Sequence, residues 1–266
     1  MTRWTALAAM TACYSLLWTL PTRADPAAPP ARSLEEIKDC LRASAPSESS
    51  IQTVTLRAVD RMGTETDSSA EIFCQGNGDE VLVRIHEPAT RRGSALLMLQ
   101  KGDRYDMWMY LPELRKVKRI TLRSMSGSMF GTDLSYEDFE RLQGLGDDAN
   151  TVQLPDGEVD GRDAYRIEIR PASGANSAYE RIVAAVEKAR CMPVRLDLYE
   201  TGDRLRKVMS FPADQIKETK KGYFPYLIRV EDRIDGTHTD VIVDKIDFDV
   251  KIPRSYFSQS NLAFGK

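Results

Sequence analysis

Side chains that commonly perform chemistry near neutral pH are scarce in this 266-residue chain, which holds two histidines, His86 and His238. His86 precedes Glu87-Pro88 at the end of a predicted strand, and His238 follows the turn-like Asp235-Gly236-Thr237. A Ser/His/Asp triad needs a histidine held between a nucleophile and an acid, and both positions read instead as surface polar residues. No G-x-S-x-G elbow, phosphate loop, H-E-x-x-H or dinucleotide fingerprint occurs. Paired carboxylates such as Glu137-Asp138 and Asp147-Asp148 are ordinary solvated groups in a chain that is 29% charged. Beyond Cys13, the cysteines Cys40, Cys74 and Cys191 are spaced too widely for a zinc pattern. These residue types argue against an enzyme and call for neither a metal nor a cofactor. A hydrolase is the weakest of the functional readings.

What the chain does concentrate is the chemistry of apolar recognition. Met98, Met107, Trp108, Met109, Tyr110, Met125, Met129 and Phe130 fall close together in the sequence. Methionine adapts to irregular apolar shapes, and aromatic rings add large rigid area at little entropic cost. Alternation along a strand puts Trp108 and Tyr110 on one face and Met107, Met109 and Leu111 on the other. Leu97 and Leu99 lie across the preceding turn. One set is expected to line a cavity and the other to meet outer packing, and alternation leaves open which does which. Met125, Met129 and Phe130 stand among Ser124, Ser126, Gly127 and Ser128, so they are expected to form a flap over a hydrophobic mouth or a patch for a membrane or partner. The bland alternative for every residue in this set is plain core.

The elements that position these residues are mostly strands. Ser33-Leu-Glu-Glu36 is a capping box that opens an amphipathic helix through Leu41. Strands are predicted over 51–59, 71–75, 80–86, 94–100, 105–111 and 117–123 at meander spacing, and Ser135 opens a second short helix through Leu142. Further strands are predicted over 163–170, 181–187, 194–199, 204–211, 223–232 and 239–250. Short turns between consecutive strands imply antiparallel pairing. A sheet of about ten or eleven strands must curl, split or close. The predicted fold is therefore α+β: a single strongly curved antiparallel sheet, a half-barrel whose concave side is covered by a few helices. The strand at 105–111 carries large side chains on both faces and must be covered on both. One covering layer is expected to be something other than protein, which points to a greasy hollow.

Arg3 followed by the apolar run Trp4–Leu20 and small residues at 22–24 reads as a secretory signal ending before Asp25. The predicted organisation is a signal over 1–24, a flexible segment over 25–32 and one domain over 33–266. Removing 1–24 takes two of the 37 basic residues and none of the 40 acidic ones, so the formal charge moves from −3 to −5. So mild an acidity, with both signs interspersed, argues against a nucleic-acid partner. An exported chain permits disulfides, and three pairings of Cys40, Cys74 and Cys191 are possible. The basic run Arg115-Lys116 to Lys118-Arg119, with Arg123, suits anionic head groups or a transporter surface. It equally suits a strand edge blunted by charge.

Arg92-Gly93, Asp106, Trp108, Tyr110, Leu111-Pro112, Arg115–Arg119 and the run Gly131-Thr-Asp-Leu-Ser-Tyr-Glu-Asp138 resemble outer-membrane lipoprotein-sorting proteins of LolA/LolB-like fold. Met192-Pro193-Val194-Arg195, Lys207-Val208 and Tyr256-Phe257-Ser258 extend the likeness. The resemblance implies a half-barrel that carries acyl chains of a lipid or lipoprotein across the periplasm, as a monomer with transient membrane contact. It also implies cooperation with an inner-membrane transporter of the resistance-nodulation-division type, and it favours Cys40 with Cys191 as the disulfide. The rival reading is a periplasmic adaptor whose hollow is simply packed core. The residues themselves make Gly131–Asp138 structural: a turn at Gly131, a cap at Ser135, and Tyr136 and Phe139 packed on the sheet.

Overall fold

A computed structural model describes residues 32–44, 49–76, 78–102, 104–143, 150–172 and 177–264. The predicted signal over 1–24, and the segment after it up to residue 31, lie outside the described residues. Helix α1 (Leu34–Ser44) begins where the capping box predicts. Glu36 N donates to Ser33 Oγ (3.4 Å) and Ser33 N donates back to Glu36 Oε2 (2.7 Å). Its stripe Ile37 and Leu41 is buried.

Six strands follow: β1 (Ser50–Val59), β2 (Glu65–Gln75), β3 (Glu80–Glu87), β4 (Ala95–Lys101), β5 (Arg104–Leu111) and β6 (Lys116–Arg119). After helix α2 (Tyr136–Gln143) come β7 (Thr151–Val159), β8 (Arg162–Ile169), β9 (Arg181–Glu187), β10 (Met192–Glu200) and β11 (Arg204–Ser210). A separate hairpin, β12 (Ile216–Thr219) and β13 (Gly222–Pro225), precedes β14 (Leu227–Asp232), β15 (Thr237–Phe248) and helix α3 (Gln259–Phe264). The one strand expected over 223–232 is therefore two, broken after Pro225, which has no N–H to continue a ladder.

Thirteen strands form one antiparallel sheet in the order β6-β5-β4-β3-β2-β1-β15-β14-β11-β10-β9-β8-β7. The last strand, β15, closes onto the first, β1, in register Ser50↔Phe248 to Val59↔His238. Register shifts at Thr53/Val54, Ser69/Ala70, Leu154/Gly157 and Pro193/Arg195 mark bulges, which bend strands and deepen twist. The sheet stays open, with β6 and β7 as its free edges. This is the predicted α+β half-barrel, with a few more strands than expected.

The differences have physical causes. Strand β7 contains Pro155-Asp156-Gly157, which reads as a turn; on an edge, at a bulge, proline and glycine are tolerated. The polar start of β2, Glu65–Ala70, lacks alternation because its first residues are solvated beyond the hollow. Helix α3 has no strong periodic signal, and its purpose lies on the outer face of the sheet.

The outer face supplies the cover for one side of β5. Leu82, Ala95, Leu97, Phe257 and Leu262 are buried together, with Leu99, Trp108, Tyr110, Val117 and Tyr256 packed against them. Arg84 Nη2 donates to the carbonyl and to Oδ1 of Asn261 (3.1 and 2.8 Å), tying α3 down. The outer cover of the doubly loaded strand is thus the chain's own C-terminal segment, while its other face, through Met107, looks into a hollow on the sheet's inner side.

Candidate functional site

The inner face of the sheet, α1 and α2 enclose a hollow of about 1290 Å³. Its walls include Val54 and Leu56 of β1, Ile72 of β2, Val83 of β3, Leu196 of β10 and Val243 of β15. Drug-sized ligand pockets run to about 1,000 Å³, so this volume suits a longer guest. Charged groups also line it: Arg42, Lys101, Arg104, Arg119 and Asp79, all exposed, and Asp106 and Glu140, half-buried.

Two plugs define the hollow. The first is α1, bound to the sheet by a disulfide between Cys40 and Cys191, with a Cα–Cα distance of 5.8 Å. Ser44 Oγ also donates to the Cys191 carbonyl (2.8 Å). The second is the segment from Ser124 through α2, which crosses the inner face as a strap. Met129 N donates to the Leu134 carbonyl (2.8 Å) and Ser128 Oγ to the Thr132 carbonyl (2.7 Å), folding the loop on itself. Met129 and Phe130 are buried, at 3% and 8% exposure. Of the expected flap, Met129 and Phe130 are instead part of the core, while Met125 is half-buried and lines the hollow, because a serine-rich loop laid inside a concave sheet finds packing that a surface loop does not.

Gly131–Asp138 is the anchor of this strap. Gly131 has φ +72°, and a Cβ there would stand 2.8 Å from Arg91 Nη2, whose Nη1 donates to the Phe130 carbonyl (2.7 Å). Asp133 accepts from the hydroxyls of Thr237 (2.5 Å) and Thr239 (2.7 Å) on β15. Asp138 has no exposed surface; it accepts from Lys207 Nζ of β11 (2.7 Å), from Tyr179 OH (2.6 Å) and from Ser135 N (2.8 Å). Lys207 Nζ also reaches the Asp133 carbonyl (2.6 Å). Burial, and then the Asp138 charge, push the Tyr179 phenol far above its ordinary range. Glu137 accepts from Ser177 Oγ and Ala178 N. The motif therefore ties one strap to β11, β15 and the segment entering β9, and it is structural, as its residues suggest. Glu137 and Asp138, expected from sequence to be solvated, are instead buried, because the concave sheet supplies Lys207, Tyr179 and Ser177 as partners that replace water.

The eight predicted cavity or lid residues separate. Met107 and Met129 line the hollow, and Met109 lies beneath Tyr136, whose hydroxyl is 2.9 Å from its sulfur. Phe130 packs in the same inner core. Leu97, Leu99, Trp108 and Tyr110 lie on the outer face beneath the C-terminal segment. The wall residues of β1, β10 and β15 were not singled out from sequence; their alternation was legible, but nothing in it tells which face is concave. Cys74 also lines the hollow as a free thiol, and burial pushes its pKa up to about 12. His86, 2.9 Å from Glu71, and His238 do not line it.

Known structures share this architecture. A domain described as an outer membrane lipoprotein-sorting protein from Vibrio parahaemolyticus aligns at 22% identity and TM-score 0.79, covering 87% of this chain and all of that one. A DUF1329 family protein from Desulfovibrio piger aligns at 26% identity and TM-score 0.78 with the same coverage. A LolA superfamily protein from Nitrosomonas europaea aligns at 20% identity and TM-score 0.70, covering 86% of this chain and 99% of that one. The fold class is thus that of the LolA-like lipoprotein-sorting domains, as the sequence resemblance implies. A search of curated proteins finds no match. A family model, described only as an uncharacterized protein, matches residues 77–263, and the chain belongs to that family.

Proposed function

We propose that the protein is a non-enzymatic carrier that sequesters acyl chains of a lipid or lipoprotein in the hollow. The observation that carries this reading is the mainly apolar cavity of about 1290 Å³ between the inner face and its two plugs. Removing a methylene from water contributes about 0.8 kcal/mol, so a dozen of them would contribute about 10 kcal/mol before the costs of binding. Function here is transfer: a guest leaves when an acceptor offers a better apolar site. The similarity to a lipoprotein-sorting domain and to a LolA superfamily protein supports the same reading. The signal-like residues 1–24 and the disulfide support export to the periplasm. Within that setting, a resistance-nodulation-division transporter is the proposed partner for loading or release.

Native mass spectrometry of protein purified without detergent, with uptake of a fluorescent fatty acid, tests the reading. Co-purifying lipid, and uptake that falls when Ile72→Trp and Ile228→Trp narrow the hollow, are the expected results. A clean apo mass together with no uptake by the wild type would sink the carrier and leave an adaptor with an empty hollow.

A further inference from the structure

The free edge of the sheet next to the hollow has an unusual charge distribution. Between Met107 and Thr132 the one acid is Glu113, against Arg115, Lys116, Lys118, Arg119 and Arg123. All five cations are exposed, and of these Arg119 pairs with Asp106 across the strand. Strand β6 is the outermost strand, so its far side meets solvent. Helix α3 packs beside it, and residues 250–264 add Lys251 and Arg254, both exposed, and no acid. Two leucines flank the basic strand and are half exposed: Leu114 at 46% and Leu122 at 47%.

Charge on an edge strand is a known guard against edge-to-edge aggregation. That role accounts for Lys116 and Lys118. It does not account for Arg123, which lies past the strand, or for leucines left in water at both of its ends. We propose that the β6 edge, from Leu114 to Arg123, is a docking surface for an anionic lipid bilayer. Cations beside such a surface are attracted to its head groups, and apolar side chains among them enter the acyl boundary without needing shape-matched pockets. An acidic protein would need a pocket for each leucine. The location adds weight: residues 119–122 and Met125 border the hollow, so docking through this edge sets the mouth against the lipid surface. The proposal does not depend on the hollow carrying a guest.

Co-sedimentation with phosphatidylglycerol/phosphatidylcholine vesicles, against pure phosphatidylcholine, tests it. The wild type is expected to bind the anionic vesicles, and to release as salt rises from about 0.1 to about 1 M, where the screening length falls from about 10 to about 3 Å. Lys116→Glu with Lys118→Glu should lower partitioning at least about tenfold, and Leu122→Asp by about tenfold, with circular dichroism and Tm unchanged. The control Arg61→Glu with Lys220→Glu makes the same change in net charge on exposed residues elsewhere and should bind like wild type. The narrowed-hollow variant, Ile72→Trp with Ile228→Trp, should still co-sediment, which separates docking from lipid uptake. Equal binding to both vesicle types, or equal loss in the control, overturns the proposal. So does an absence of binding to either, which would assign the strip to an acidic protein instead.

Discussion

Replacing Lys207 by Met tests how the strap is held. The ammonium lies 2.7 Å from Asp138 Oδ2, and the Asp138 side chain has no exposure to water. Methionine fills similar space but leaves the Asp138 carboxylate with Tyr179 OH and the Ser135 amide as partners. Removing one member of a buried ion pair costs about 3–5 kcal/mol, chiefly from the uncompensated charge that remains. Against a typical domain stability of about 5–15 kcal/mol, that is a large fraction. For a domain of this size it corresponds to a fall in Tm of about 6–20 °C. Urea unfolding of the wild type, Lys207→Met, Asp138→Asn and the double variant gives the coupling directly. The double variant should be less destabilised than the sum of the singles by about 1–3 kcal/mol, because an amide at position 138 brings no charge to be neutralised. A Lys207→Met protein within about 1 kcal/mol of wild type would show that water reaches Asp138, and the anchoring role assigned to Gly131–Asp138 would fail.

Cys40→Ser is expected to lower stability by about 2–5 kcal/mol, since the bridge spans a sequence separation of 151; equal Tm values with and without reductant would contradict this. Trp108→Asp is expected to unfold the protein rather than to yield a folded variant without lipid uptake, because Trp108 packs with Tyr256 and Leu262 on the outer face; a folded variant with lost uptake would put Trp108 back in the hollow. Gly131→Ala should lower Tm, since a left-handed φ of +72° is strained for any residue with a Cβ; an unchanged Tm would mean that the turn rearranges. The raised pKa of Cys74 makes its proton bind more tightly in the folded state than in the unfolded state. Its contribution to stability is therefore complete below pH 9 and is lost as pH rises towards 12, and maleimide labelling at pH 8 should be slow until the chain unfolds. Rapid labelling of the native protein would refute the raised pKa of that half-buried thiol.

Much of this molecule was legible in its local patterns, for reasons that are themselves local. A capping box needs only residues i and i+3, so both Ser33-x-x-Glu36 and Ser135-x-x-Asp138 announced their helices. Strand alternation has period two, so it sorted Met107 from Trp108 without any tertiary information. The same pattern could not say which face would be concave. Curvature depends on bulges such as Thr53/Val54 and on the closure of β15 onto β1, which joins the two ends of the chain's strand order. Nor did the apolar load of β5 reveal its cover, because the covering residues, Phe257 and Leu262, lie at the far end of the chain in and beside a helix too short to show periodicity. Sequence by itself determined most of the strands, though not β7 or the break between β13 and β14, together with the caps and the apolar character of the centre. Tertiary structure alone decided that Met129 and Phe130 are core rather than flap, that Asp138 meets Lys207, and that the hollow is walled by β1, β10 and β15. Each of these turns on contacts between segments that no short window of sequence contains.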